Sequence, residues 1–227
     1  MAYNYLELVN DVNKKMNEVV LTSANFASSI GFYDDVKIGV NWAIDEINQQ
    51  AFEWPFNVVR KELVLTVDQS RYDYEANAKS VAFNTFRIKG ETALNIKTTP
   101  LWPLDYEDYL RESSDMENNP TLYHKVPTVV SRTTGSQFLV APAPDRAYTL
   151  QYEYYSLPSR LEDWDDVPTV PEFFRNVIYS GSLQQAFDFR GDLEQAERHK
   201  QLFEKGIERM RTIYINRTDY ASSTMRH

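Results

Sequence analysis

The stretch AYTLQYEYYSLPSRLEDWDDVPTVPEFFRNVIYSGSLQQAF, residues 147–187, decides the fold, because a strand pattern gives way to a helix pattern within it. Alternation over 147–155 predicts a β-strand, one face of which carries Tyr148, Leu150, Tyr152 and Tyr154. From Phe173 the apolar residues recur at three- and four-residue steps, which predicts a helix that ends at Gly191. Asp192 and Gln195 form a capping-box pair, which indicates the start of a last helix.

The chain also opens with helical patterns. The first helix is predicted from one apolar stripe, which consists of Tyr5, Leu8, Val9, Val12, Met16 and Val19. A second helix is predicted to be capped by Asp34 or Asp35 and to stop at Pro55. Between the two helical ends lie about six to eight short alternating segments, among them 62–67, 94–96 and 121–132, and a brief acidic helix at 105–112.

Helix runs that are separated from strand runs indicate an α+β fold rather than a wound parallel sheet. Each terminal helix is apolar on one side only, so the N- and C-terminal helix pairs are expected to cover each other in one four-helix layer. The predicted organisation is a helical domain of residues 1–57 and 168–215, with an inserted, mainly antiparallel β-domain at 58–167. Residues 216–227 show no apolar periodicity and are predicted to form an extended C-terminal arm.

Composition excludes several classes of function. The chain has no cysteine, which removes disulfides and thiolate chemistry, and its three histidines, at 124, 199 and 227, have no metal-ligand spacing. Glycine-rich phosphate loops are absent from the sequence, so we expect no cofactor and no metal. A net charge of -9 argues against specific binding of nucleic acid. Without an apolar span or a signal-like N-terminus, we expect a soluble protein made in a cytoplasm.

Carboxylates are the remaining candidates for chemistry. The acidic run Glu162–Asp166 lacks the glycine of a calcium loop, and we interpret it as a solvated linker anchored by Trp164. Asp105 and Glu107 could act as a pair in glycosidic cleavage, although an exposed acidic helix start is the favoured explanation of them. We predict that His199 lies on the surface and that the protein has no catalytic residues.

Two passages carry a resemblance to a known family. The tyrosine-rich strand runs through Leu157-Pro158 and an acidic link to Val170-Pro171-Glu172-Phe173-Phe174, then into the last two helices. Near the N-terminus, Ile47-Asn48-Gln49-Gln50 is followed by Phe52-Glu53-Trp54-Pro55-Phe56-Asn57. Together they resemble the head-to-tail adaptor of short-tailed bacteriophages, the family of tail tubular protein A. The stretch 68–134 contributes nothing to this resemblance.

The resemblance implies a structural protein of the virion, located at the head–tail junction and assembled in the host cytoplasm. It implies a ring, expected to contain twelve copies, below the portal protein, with DNA passing through the lumen and a tail nozzle or tail-tube protein attached. No membrane partner is implied. The arm would be the portal-docking element, and its candidate residues are Arg217, Tyr220, Met225 and Arg226.

Other functions remain compatible with the sequence. One alternative is a different phage neck or tail-completion protein. Another is a β-domain that binds carbohydrate or peptide through its tyrosines, and a third is a wall-degrading hydrolase that uses Asp105 or Glu107.

Overall fold

The computed structural model describes residues 3–90, 97–112 and 114–224, and at residues 112, 118, 120, 121 and 216–224 it describes the backbone alone. The chain divides into two compact units. The helical unit is Met1–Phe56 with Pro158–His227, and the β unit is Asn57–Leu157. The acidic link that begins at Pro158 therefore lies with the helices, whereas the sequence pattern predicts the return to the helical domain at residue 168.

The helices are α1 Tyr5–Lys15, α2 Phe32–Gln49, α3 Tyr106–Glu112, α4 Ser114–Asn118, α5 Pro120–Tyr123, α6 Arg175–Phe189 and α7 Leu193–Thr224. The strands are β1 Val58–Val64, β2 Arg71–Asp73, β3 Ala78–Ile88, β4 Thr99–Pro100, β5 Trp102–Leu104, β6 Val129–Arg132, β7 Gln137–Ala141 and β8 Thr149–Ser156.

In the helical unit, α1, α2, α6 and α7 pack into one layer around a continuous apolar core. The helix α6 lies at its centre, in contact with each of the other three. At Gly181 of α6 a side chain would come within 2.8 Å of Ala43 on α2 and 2.9 Å of Phe203 on α7. The absence of a side chain there lets the three helices approach closely, which explains why glycine is placed inside a helix where its propensity is poor.

The passage from α2 toward the β unit is fixed by an aromatic cluster. The buried indole of Trp54 donates to the Ile47 carbonyl at 2.6 Å, so it satisfies a carbonyl at the end of α2. Its ring stacks on Phe56 and meets the edge of Tyr214 from α7. Trp54 and Phe56 are therefore part of the helical core, while α2 itself ends at Gln49, before the stop predicted at Pro55.

The β unit contains two four-stranded sheets. One has the order β1-β8-β3-β4 and is antiparallel, and the other has the order β2-β7-β6-β5 and is antiparallel except where β5 pairs with β6. Its main core is aromatic, with the Phe86 ring stacked on Tyr152 at 4.7 Å. The face of β8 predicted to be apolar lies in this core, where Tyr148, Leu150 and Tyr152 are almost fully buried.

The predicted fold class is confirmed: the protein is α+β, with a four-helix layer and an inserted, mainly antiparallel β-domain. Several local predictions are wrong. The N-cap of α2 is Gly31, not Asp34 or Asp35, and the helix begins at Phe32. Gly31 has a positive φ of 65°, which turns the chain into the helix at that point. Within 121–132 only β6 is a strand, since Pro120 opens a short helical turn. The strand predicted at 94–96 lies outside the described residues.

The extended arm predicted for 216–227 is also corrected, because α7 continues through Thr224. Residues 216–224 contain neither proline nor glycine. Adding residues to an existing helix avoids the cost of nucleation, so loss of the apolar stripe did not end the helix. Residues 225–227 lie outside the described part of the chain.

Candidate functional site

One end of the helical unit exposes large apolar side chains where its loops and helix termini meet. The exposed fractions are 81% for Ile30, 73% for Val19, 68% for Leu193 and 58% for Phe189. We call these four residues the apolar end. Val19 follows the end of α1, Ile30 precedes α2, and Phe189 and Leu193 flank the turn between α6 and α7. Side chains of this size that are exposed together mark an interaction site more often than chance would give.

Arg190 holds the apolar end together. Its guanidinium lies over the Phe32 ring, 4.4 Å from the ring centre, and pairs with the Glu18 carboxylate. Phe32 in turn contacts Phe189, with 6.0 Å between ring centres. The termini of α1, α2 and α6 are thereby joined through one cation–π and ion-pair group. Asp188, Asp192 and Glu194 adjoin the exposed side chains in sequence, so carboxylates lie near the apolar end together with Arg190.

A groove of about 470 Å³ lies among α2, α6 and α7. Its apolar lining includes Trp42, Phe203 and Ile207, and three carboxylates also face it, those of Glu46, Glu204 and Glu208. The Trp42 and Phe203 rings are 5.7 Å apart. Two lining atoms, Gln184 Oε1 and Arg211 Nε, are shielded from solvent and have no hydrogen-bond partner within the described residues. Such a groove has room for a polypeptide segment, whose backbone offers both a donor and an acceptor.

The C-terminal end of α7 is the candidate arm. Tyr214 is buried against Trp54 and Phe56, and from there the helix continues over 215–224, about 15 Å at the usual rise per residue. Arg217 and Tyr220 belong to this segment, while Met225 and Arg226 lie outside the described residues. The structure therefore does not test these four as docking residues.

The acidic run Glu162–Asp166 is ordered by its own hydrogen bonds. Asp166 Oδ2 accepts from the backbone N–H groups of Glu162 and Asp163, at 2.7 and 2.8 Å, and these bonds lower the pKa of the Asp166 carboxyl. The carbonyls of Asp166 and Trp164 accept from the N–H groups of Tyr5 and Leu6, which begin α1. The run thus satisfies free donors at a helix start. The Trp164 side chain is exposed, so it does not anchor the run as predicted.

The position of His199 corrects the prediction that it lies on the surface. Only 9% of the residue is exposed, and its ring stacks on Phe187 with 5.4 Å between ring centres. Burial, together with the nearby charges of Lys15 and Arg198, lowers the pKa of His199. Its Nδ1 has no partner in the described part of the chain. A neutral, packed imidazole fits these surroundings. The helical period carried the missed signal, because His199 lies three residues after Ala196 and four before Phe203, on the buried face of α7.

The remaining candidates for chemistry do not form a site. Asp105 and Glu107 are both exposed at the start of α3. The tyrosines proposed above as a binding surface are buried, and burial raises the pKa of Tyr152 to about 12. His124 bonds to Asp68 at 3.1 Å on the surface. Across residues 3–90, 97–112 and 114–224, no three acidic or histidine side chains are placed to hold a metal ion.

Sequence reasoning missed the apolar end. It assigned Val19 to the buried stripe of the first helix, but α1 ends at Lys15. Leu193 is the first residue of α7, and neither side chain reaches the core. A detectable signal existed, because Ile30 and Phe189 lie within two residues of Gly31 and Gly191. Large apolar residues beside a turn glycine lie where a helix cannot bury them.

Within the described ranges, no helix is both long and apolar enough to cross a membrane. The apolar end and the groove are features typical of proteins that bind other proteins. A family model described as SU10 adaptor protein matches residues 3–227, and the chain belongs to that family. The protein is therefore a bacteriophage adaptor, a structural component of the virion, in agreement with the resemblance to head-to-tail adaptors. No curated protein matches the chain.

Proposed function

We propose that this protein is a subunit of a ring that joins the phage head to the tail, docked below the portal protein and bound on its other side by a tail nozzle or tail-tube protein. The resemblance to tail tubular protein A implies twelve copies and a central passage for DNA. The observation that carries the proposal is the family match over residues 3–227, because it covers both the helical unit and the β unit.

Two surfaces of the helical unit support assembly into a ring. A cyclic ring needs a heterologous interface, in which one surface of a subunit fits a different surface of its neighbour. The apolar end and the groove that contains Trp42 and Phe203 are different surfaces of this kind. Both surfaces combine apolar side chains with charges of both signs, which favours partner segments that carry complementary charges around an apolar centre.

The end of α7 is proposed as the portal-docking arm, through Arg217, Tyr220, Met225 and Arg226. From Arg211 onward the sequence contains three arginines and one acidic residue, Asp219, whereas the whole chain has a net charge of -9. This local reversal of charge suits an acidic portal surface.

The overall negative charge supports passage of DNA without binding. Carboxylates repel DNA phosphates, so an acidic protein lining a channel would not retain the genome. We propose no catalytic role, because the carboxylates considered for hydrolysis, Asp105 and Glu107, are exposed on one short helix. Assembly is proposed to take place in the host cytoplasm.

The test is to mix the purified full-length protein with portal rings of the same phage and to image the product by electron microscopy. We expect rings with the portal's symmetry stacked on the portal. A variant that lacks 218–227 should stay folded and lose only the helical circular dichroism signal of 218–224, since the core residues of α7 end before the deletion, but it should fail to bind. Unchanged binding by that variant would refute the docking role of the arm.

Substitutions at the apolar end test the ring interface separately. Phe189→Asp and Leu193→Asp should each weaken ring formation on the portal about tenfold or more, as expected for apolar anchors of an interface. Leu202→Asp is the matched control, because Leu202 is an exposed leucine elsewhere on α7. Equal effects of the three substitutions would show that the apolar end is not an interface.

A further inference from the structure

The strand β1 is an open edge of its sheet. It pairs with β8 along its whole length, Val58 with Tyr155 through Val64 with Thr149, without a bulge. On its other side no strand pairs with it among the described residues. Seven residues is long for an open edge. Its unpaired backbone groups are a template for another strand, and the charges of Arg60, Lys61 and Glu62 restrict which strand can pair there.

The direction of the free backbone groups follows from one hydrogen bond. The Leu65 N–H donates to the Tyr148 carbonyl at 2.8 Å, and this pair continues the register of β1 on β8. In an antiparallel ladder alternate residues direct both backbone groups toward the same neighbour. Lys61 and Leu63 therefore face β8 with their N–H and C=O groups. The outward-facing groups belong to Val58, Arg60, Glu62 and Val64.

The sequence of β1 is chemically symmetric about its central residue. It reads Val58-Val59-Arg60-Lys61-Glu62-Leu63-Val64. When a second copy of the strand lies antiparallel with Lys61 opposite Lys61, Val58 lies opposite Val64 and Arg60 lies opposite Glu62. All outward-facing N–H and C=O groups then meet one another across the new ladder.

Other registers are penalised. A slip of one residue brings outward-facing groups opposite groups already bonded to β8, so the new ladder cannot form. A slip of two residues places Arg60 opposite Arg60, or Glu62 opposite Glu62, and like charges directly opposite destabilise a strand pair. The central Lys61 pair is also like-charged, but each Lys61 ammonium lies 2.7 Å from Glu75 in its own chain, which offsets the repulsion.

We infer that two copies of this chain associate through β1, antiparallel and centred on Lys61, to form one continuous eight-stranded sheet. The side chains of Arg60 and Glu62 are already bonded to Glu153 and Lys89, at 3.0 and 2.9 Å, so the two cross-copy ion pairs extend existing charge networks. The contact is small, so association depends on concentration. It is isologous, and it is separate from the heterologous contacts proposed for the ring and from portal docking.

Disulfide trapping tests the pairing in the full-length protein, since the chain has no cysteine of its own. Lys61→Cys places two thiols directly opposite each other, at a separation that a disulfide spans. Val64→Cys is the matched control on the same edge, because its thiols would be about 20 Å apart at 3.4 Å per residue. We expect Lys61→Cys to form dimers under mild oxidation much faster than the control. Equal rates in the two variants would overturn the inference.

Charge reversal tests the register by sedimentation equilibrium. Arg60→Glu and Glu62→Arg should each weaken self-association roughly tenfold, since each creates two like-charged cross-strand pairs. The double variant restores opposite charges across the strands and should recover dimerisation. It still loses the ion pairs with Glu153 and Lys89 inside each copy, so its recovery would depend on the pairing between copies. Circular dichroism checks that each variant is folded. A wild type that remains monomeric up to millimolar concentration, or a dimer indifferent to these changes, would contradict β1 pairing.

Discussion

A buried histidine gives the helical unit a dependence on pH. The pKa of His199 is lowered chiefly by burial, so the folded protein disfavours the imidazolium that the unfolded chain forms readily. The unfolded chain therefore binds more protons, and the stability present at neutral pH is lost as the pH falls through the ordinary histidine pKa of about 6.5.

We expect the free energy of unfolding to decrease between pH 7.5 and about 5, in part because of His199. His199→Phe keeps a ring that can stack on Phe187 and removes the titration, so its stability should change less over this range. Urea unfolding at a series of pH values measures the difference. Gln201→Ala is the control, because it changes an exposed, non-ionisable residue of the same helix and should keep the wild-type pH dependence. An identical pH profile for His199→Phe and wild type would contradict this account.

At the scale of elements, two helices each hold a loop through one asparagine side chain. Asn10 of α1 donates to the Leu21 carbonyl at 2.9 Å and accepts from the Leu21 N–H at 2.7 Å. Asn41 of α2 bonds the Leu161 carbonyl and N–H in the same way, at 3.0 and 2.9 Å. In both loops the clamped leucine is buried. An amide satisfies both backbone groups of one residue, so an apolar side chain can be buried without a regular ladder.

Asn41→Ala should destabilise the protein by about 2 kcal/mol, because it leaves both backbone groups of Leu161 without their partner and removes a bond to the Tyr5 hydroxyl. Chemical denaturation measures this loss. Gln49→Ala removes an exposed amide from the same helix and should change the stability by less than about 0.5 kcal/mol. A comparable loss in both variants would mean that the clamp itself contributes little.

At the scale of the whole molecule, each unit has an apolar core of its own among the described residues. The core of the helical unit includes Val12, Ile44 and Ile178, while the main core of the β unit includes Phe86, Leu150 and Tyr152. The chain passes twice between the units, yet each encloses its own apolar residues. Separate cores are the physical basis for separate unfolding.

We expect two transitions in differential scanning calorimetry, each assigned by one core substitution. Ile178→Ala should lower the transition of the helical unit, and Leu150→Ala that of the β unit, each by about 3 kcal/mol of stability. Each variant serves as the control for the other. A single transition that both substitutions shift equally would show that the two units unfold together.

The amino-acid sequence by itself determined the α+β class, the four-helix layer and the buried face of β8. Apolar periodicity records which side of an element is buried, so Tyr148, Leu150 and Ile178 could be assigned from the sequence. The resemblance likewise indicated the adaptor family, because its motifs are short stretches of sequence that can be recognised without the structure.

Only the tertiary structure decided where elements end and what lies beside them. The stacking of His199 on Phe187 and the clamps at Leu21 and Leu161 depend on residues in other elements or loops, and a local pattern cannot encode those contacts. The open edge at β1 depends on strand order, which pairs β1 with β8 across most of the β unit. Apolar periodicity indicates which side chains are buried, and only the tertiary fold determines which residues they pack against.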